Sequence, residues 1–152
     1  MTGGEPIMDK NTYRVFDYVL ANPKSDLILN VTSNFSQEDF LFDKYLDKVK
    51  QITQGDCVDH FMQFVSVDGW GQQAEYIRHG MDFVKVMRNV ETFLKQAPHR
   101  TSLTFIITMS NLNISSLKSL MNWILMLREN FSTDRQHIWL DTPKLRQPEW
   151  QC

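Results

Sequence analysis

The sequence predicts an α/β fold organised around a parallel sheet, and two observations carry that prediction. Four short runs rich in β-branched and aromatic residues, at 27–32, 61–66, 102–109 and 137–141, read as strands. Helical patterns fall between them. The strand starts are 34 to 41 residues apart, and a strand–helix–strand unit needs about 30 or more. Such alternation is the signature of a parallel sheet with crossover helices. The runs show little strict alternation, as expected of strands covered on both faces. Right-handed crossovers follow from the twist of the strands.

Each element has its own signal. Val15, Phe16, Val19 and Leu20 mark one face of a first helix, ahead of the strand at 27–32. Leu41, Tyr45, Val49 and Ile52 repeat at helical spacing in the second, with Ser36 and Asp39 placed as a variant capping box. After the strand at 61–66, the stripe of Phe83, Val86, Met87, Val90, Phe93 and Leu94 defines the third helix. After the strand at 102–109, Leu117, Leu120, Met121, Ile124 and Phe131 define the fourth, with Ser115 or Ser116 as its cap. These stripes are core-packing faces. The chain reads as a single domain over 1–152, without internal repeats, low-complexity tracts or linkers.

Composition narrows the function classes. The 152 residues are 42% hydrophobic and 22% charged, with a net charge of −2. No basic footprint is present for nucleic acid. No segment reads as a signal peptide or a membrane span, so a cytoplasmic setting is the expectation. Cys57 and Cys152 form neither a disulfide framework nor a repeated metal-ligand spacing. His60, His79, His99 and His137 have no second ligand at metal-binding distance in the sequence, so no metal site is expected of this chain. Phosphate loops, nucleophile elbows and zinc-protease motifs are absent.

In parallel α/β folds, ligands bind at the carboxyl ends of the strands. This directs attention to residues 32–35 (TSNF), 66–71 (SVDGWG), 110–113 (SNLN) and 141–148 (DTPKLRQP). The opening TGGEP fits the same rim, as the tail of an earlier strand. Ser66 lies twelve residues before Arg78, and a hydroxyl with a guanidinium at one strand end can hold a carboxylate. Asp141 ends the last strand at the rim and is the acidic residue best placed to face a substrate. Catalytic residues cannot be named from the pattern.

In order and spacing these stretches resemble the radical S-adenosylmethionine enzymes. The resemblance rests on TGGEP at 2–6, TSNF at 32–35, SVDG at 66–69 and EYIRHGMDFVKVMRNVETFL at 75–94. In that family a Gly-Gly-Glu-Pro motif follows the second strand of a partial (β/α)6 barrel. A Thr-Asn-Gly-like motif follows the third strand and Ser-(Ile/Val)-Asp-Gly the fourth. An Arg-x-Gly and a downstream Asn-(Val/Ile) lie on the next helix, here Arg78, Gly80, Asn89 and Val90. The tail from about residue 143 resembles the start of a twitch-type extension of the peptide-modifying SPASM subgroup. The resemblance thus covers strands two to six of a TIM-like barrel.

The resemblance implies two cofactors, S-adenosylmethionine and a 4Fe–4S cluster. Three cysteines in C-x3-C-x2-C hold the cluster after the first strand. One electron, from an external donor, cleaves S-adenosylmethionine to a 5′-deoxyadenosyl radical that abstracts hydrogen from substrate, here a peptide or small molecule. By this reading the backbone around Gly3, Gly4, Glu5 and Pro6 accepts from the ammonium group, and Ser66, Asp68 and Arg78 meet the methionyl carboxylate or ribose. Ser33 and Asn34 are further contacts, and Asn111 or Asn113 reaches ribose or adenine. Two residues depart from the family pattern: Phe35 stands where Gly is frequent and Trp70 where Pro is frequent. The cysteine triplet is absent, so the expectation is a truncated barrel, inactive alone, whose bare sheet edge invites pairing. The alternative is a non-catalytic α/β binding module that kept the rim.

Overall fold

The computed structural model describes residues 4–131 and the backbone of residues 136–141. Gly3 and the tail from residue 142 lie outside the described residues. The elements run α1 (Lys10–Ala21), β1 (Ile28–Ser33), α2 (Asp39–Gln54), β2 (His60–Ser66), α3 (Gln72–Ile77), α4 (Phe83–Gln96), β3 (Thr101–Ile106), α5 (Ile114–Phe131) and β4 (Gln136–Asp141). All four expected strands are present. They form one parallel sheet in the order β1-β2-β3-β4.

The register sorts the side chains onto two unlike faces. Leu29, Val31 and Ser33 align with Phe61, Gln63 and Val65, and these with Thr101, Leu103 and Phe105. All nine are buried. Phe16 of α1 packs on Phe61, and Trp123 of α5 on Phe105. Tyr45 of α2 donates its hydroxyl to Gln63. α4 sits between α2 and α5. The helices therefore cover one face, as same-handed crossovers between strands added in one direction require. Burial of each large aromatic here stabilises by about 1.5–3 kcal/mol.

The second face is more open than the sequence predicts. Ile28 and Asn30 are exposed, and His60, Met62, Phe64 and Ser66 are half-buried. On β3, Ser102 and Thr104 are buried on this face, and His60 Nε2 lies 3.0 Å from Ser102 Oγ. The apolar strand runs reflect side-by-side burial within the sheet, with helices over only one of its faces.

Local chemistry explains most element ends and corrects several expectations. Asp9 caps α1 by accepting from Asn11 N, and Asp82 caps α4 by accepting from Lys85 N. The Ser36–Asp39 capping box does not form. α2 starts at Asp39 with Glu38 before it and no side-chain cap, while Ser36 Oγ accepts from Asp82 N at 2.7 Å. Ser115 and Ser116 lie inside α5, whose first turn follows Asn113. Val15 is 39% exposed, and Thr12 takes its place on the buried face of α1. Arg78 and Asn89 do not share one helix. The 75–94 stretch breaks at a turn in which Met81 N donates to Arg78 O, so Arg78 ends α3 and Asn89 lies in α4. The third strand ends at Ile106, short of Met109. Among the described residues no helix is long and apolar enough to cross a membrane.

Candidate functional site at the strand ends

The carboxyl ends of β1, β2 and β3 bring most of the expected residues to one rim. Glu5 anchors the N-terminal segment there. Its Oε1 accepts from Ser33 Oγ at 2.6 Å and Ile7 N at 3.3 Å, and its Oε2 from Asn34 N at 3.2 Å. Glu5 thus acts through its side chain, bridging 28 residues to the end of β1. Pro6 and Ile7 are buried behind it. Gly4, at φ +60°, has open space where a side chain would stand, so its backbone is approachable.

The loop after β1 is closed by its own side chains. Asn34 Oδ1 accepts from Ser36 N and Gln37 Nε2, and Ser33 Oγ accepts from Phe35 N. Phe35 adopts φ +57°, a left-handed conformation that favours glycine. Its ring is nevertheless fully buried, against Phe42 and Phe93. Buried Asn89 of α4 fixes the same loop by donating Nδ2 to Phe35 O at 2.9 Å and Gln37 O at 3.0 Å. Glu5, Asn34, Ser36, Gln37, Leu41 and Gly80 line a cleft of about 270 Å³ beside this loop.

The end of β2 carries a second network. Arg78 Nη2 donates to Ser66 Oγ at 2.6 Å, and Arg78 Nε to Asp68 Oδ2 at 2.6 Å. Asp68 Oδ1 accepts from Thr108 N at 2.8 Å. The pair is sheltered, with side-chain exposures of 32% for Arg78 and 9% for Asp68. Gly69 approaches α5 and α3 so closely that a Cβ there would lie 3.1 Å from Ser116 Oγ and 3.4 Å from Ala74 N. Trp70 packs its ring on Phe83 and Trp123. Phe35 and Trp70 are therefore packing anchors for rim loops.

The remaining expected residues fall differently. Asn113 is fully buried, and its Nδ2 donates to Asp68 O and Thr108 O while its Oδ1 accepts from Ser110 N. Its amide ties the β3–α5 loop to the end of β2. Asn111 is exposed on that loop. Asp141 ends β4 in register with Ile106, which puts its backbone at the same rim.

The loop-fixing contacts of three positions, Gln37, Thr108 and Asn89, were not expected from the sequence. Gln37 and the Thr108 amide carry no motif, and their roles depend on contacts across the fold. Asn89 had a signal of another kind: a polar residue inside the most regular apolar stripe of the chain.

The arrangement can bind a carboxylate-bearing ligand through Arg78 and Ser66. It does not fit an iron–sulfur cluster. Cys57 is buried before β2, at the opposite end of the sheet from the rim, and among the described residues no cluster of three His, Cys, Asp or Glu side chains is placed to hold a metal. Burial pushes the Tyr13 phenol above its ordinary range, and pushes that of Tyr45 further still, with the charges of Glu5 and Tyr13 adding to the effect at Tyr45. No protein-family model, curated protein or solved structure matches the chain.

Proposed function

We propose that this chain is the S-adenosylmethionine-binding part of a radical S-adenosylmethionine enzyme, built as a partial (β/α) barrel. The observation that carries the reading is the 2.6 Å contact between Arg78 and Ser66 at the end of β2. The contact brings a hydroxyl and a guanidinium together at a strand end, the pair of groups that holds a carboxylate. The sequential strand order with helices over one face supports the barrel, because a singly wound sheet is the arrangement that closes into one. The half-open face of β1 and β2 would then line its interior.

In this reading Arg78 and Ser66 hold the methionyl carboxylate by charge-assisted hydrogen bonds. The exposed backbone at Gly4 accepts from the ammonium group, which offers three donors and no acceptor. Asn111 is the contact left available for ribose or adenine. Radical chemistry would be supplied by S-adenosylmethionine at a 4Fe–4S cluster held elsewhere. The cluster ligands are not among this chain's residues, so its own share is binding and orientation. A peptide or small-molecule substrate is proposed on the resemblance alone.

Titration of the chain with S-adenosylmethionine, followed by backbone amide resonances, tests the reading. Binding is expected to be weak, with Kd about 1 mM, and shifts should cluster at Gly4, Glu5, Ser66 and Arg78. Arg78→Ala should reduce affinity about tenfold, the loss of roughly 1.4 kcal/mol. Shifts confined to the amino-terminal ends of the strands, or none, would sink the proposal and leave the non-catalytic binding module.

A further inference from the structure

We propose that Asp68 is a positioning residue that aligns Arg78 toward the ligand and does not touch the ligand itself. This rests on the reading of Arg78 and Ser66 as a carboxylate site. Both oxygens of Asp68 are engaged inside the protein, Oδ2 by Arg78 Nε and Oδ1 by the Thr108 amide. Its side chain is 9% exposed. An ionised carboxylate offers acceptors only, so it would repel the carboxylate of an incoming ligand.

What Asp68 does is select an edge of the guanidinium. With Nε held by Asp68 and Nη2 by Ser66, the nitrogen outside these two bonds is Nη1. Nη2 also has a second hydrogen. The Nη1–Nη2 edge is therefore the one presented for paired hydrogen bonds to a carboxylate. The anchor is itself rigid. Asn113 Nδ2 binds both Asp68 O and Thr108 O, so the support for Arg78 spans the ends of β2 and β3. Asp68 also neutralises Arg78. The site then rewards hydrogen-bond geometry more than net charge, which suits the zwitterionic end of an amino acid better than a bare anion.

Asp68→Asn in the full chain separates these roles. Its remaining oxygen can still accept from Thr108 N, while its NH2 group cannot accept from Arg78. The first readout is the Arg78 Nε–H resonance, assigned by its loss in Arg78→Lys. In the wild type it should exchange slowly with water, and in Asp68→Asn as fast as an exposed arginine. The second is affinity for S-adenosylmethionine against 5′-methylthioadenosine, which lacks the carboxylate and ammonium. Asp68→Asn should lose about tenfold for the first and nothing for the second. A wild-type chain with no preference between the two sinks the carboxylate-site reading. A wild-type preference that survives Asp68→Asn overturns the positioning role alone, as does an unchanged Nε–H resonance. If Asp68→Asn fails to fold, a fast-exchanging Nε–H in the wild type still overturns the contact, and a slow one upholds it.

Discussion

The loops after β1 and β2 end neighbouring strands at one rim, yet they are fixed by opposite means. The first hangs on an apolar anchor, Phe35, and on the neutral amide of Asn89. The second hangs on an ion pair, Asp68–Arg78, braced by backbone and amide groups. Trp70 adds an apolar contact there but is only partly buried. The comparison teaches what each kind of anchor leaves over. An apolar anchor supplies much stability and no chemistry. An ionic anchor supplies less, but it leaves an oriented guanidinium at the surface.

The largest effects should come from breaking the first anchor. Phe35→Ala removes a fully buried ring and should cost about 3–5 kcal/mol in denaturant unfolding. Phe35→Gly should cost about 1 kcal/mol less, because glycine meets the left-handed backbone without penalty. A glycine variant less stable than the alanine variant would show that the backbone relaxes out of this conformation. Asn89→Leu leaves Phe35 O and Gln37 O without their donor and should cost about 2–3 kcal/mol. Neither change should respond strongly to salt.

A smaller effect, confined to the apolar side, is set by pH. Tyr45 touches Phe42 and Phe16 and donates its hydroxyl to Gln63. Its folded-state pKa is raised well above the ordinary value, first by burial and then by the charge of Glu5. Below pH about 10 the phenol is neutral in both states and the folded state pays nothing. Above that, the unfolded chain loses its proton while the folded one keeps it, so stability falls as pH rises. Tyr45→Phe should flatten this alkaline limb. At neutral pH it should cost about 1–2 kcal/mol, because Gln63 Oε1 loses its donor. An alkaline limb as steep in Tyr45→Phe as in the wild type would assign the effect to other groups.

The same contrast explains how far the sequence could be read. Strand positions were legible because buried β-branched runs and helical stripes are local signals. The stripe of α4, for instance, places Phe83, Val86, Val90 and Phe93 on its buried face. The Ser66–Arg78 pairing was legible through motif spacing. The start of α2 and the anchoring of the loop before α5 were not, since Ser36 is drawn off to Asp82 and Asn113 ties to the end of β2. Those bonds join residues about 45 positions apart, and no local pattern announces them. The roles of Phe35 and Trp70 were hidden for the same reason: a residue that breaks a motif looks like damage until its packing partners are known.

The smallest effect on stability should come from the group to which the proposed binding role is given. Arg78 is about a third exposed, so its ion pair is partly screened by water. Removing it does not leave Asp68 bare, because the Thr108 amide remains on Oδ1. Arg78→Ala should therefore cost only about 1 kcal/mol, less than any change to the first anchor. Raising salt from low to about 1 M, where screening reaches about 3 Å, should narrow the gap between this variant and the wild type. The Phe35 gap should not move. If Arg78→Ala instead costs as much as Phe35→Ala, the ion pair is a structural pillar of the rim, and the contrast between an apolar and an ionic anchor fails.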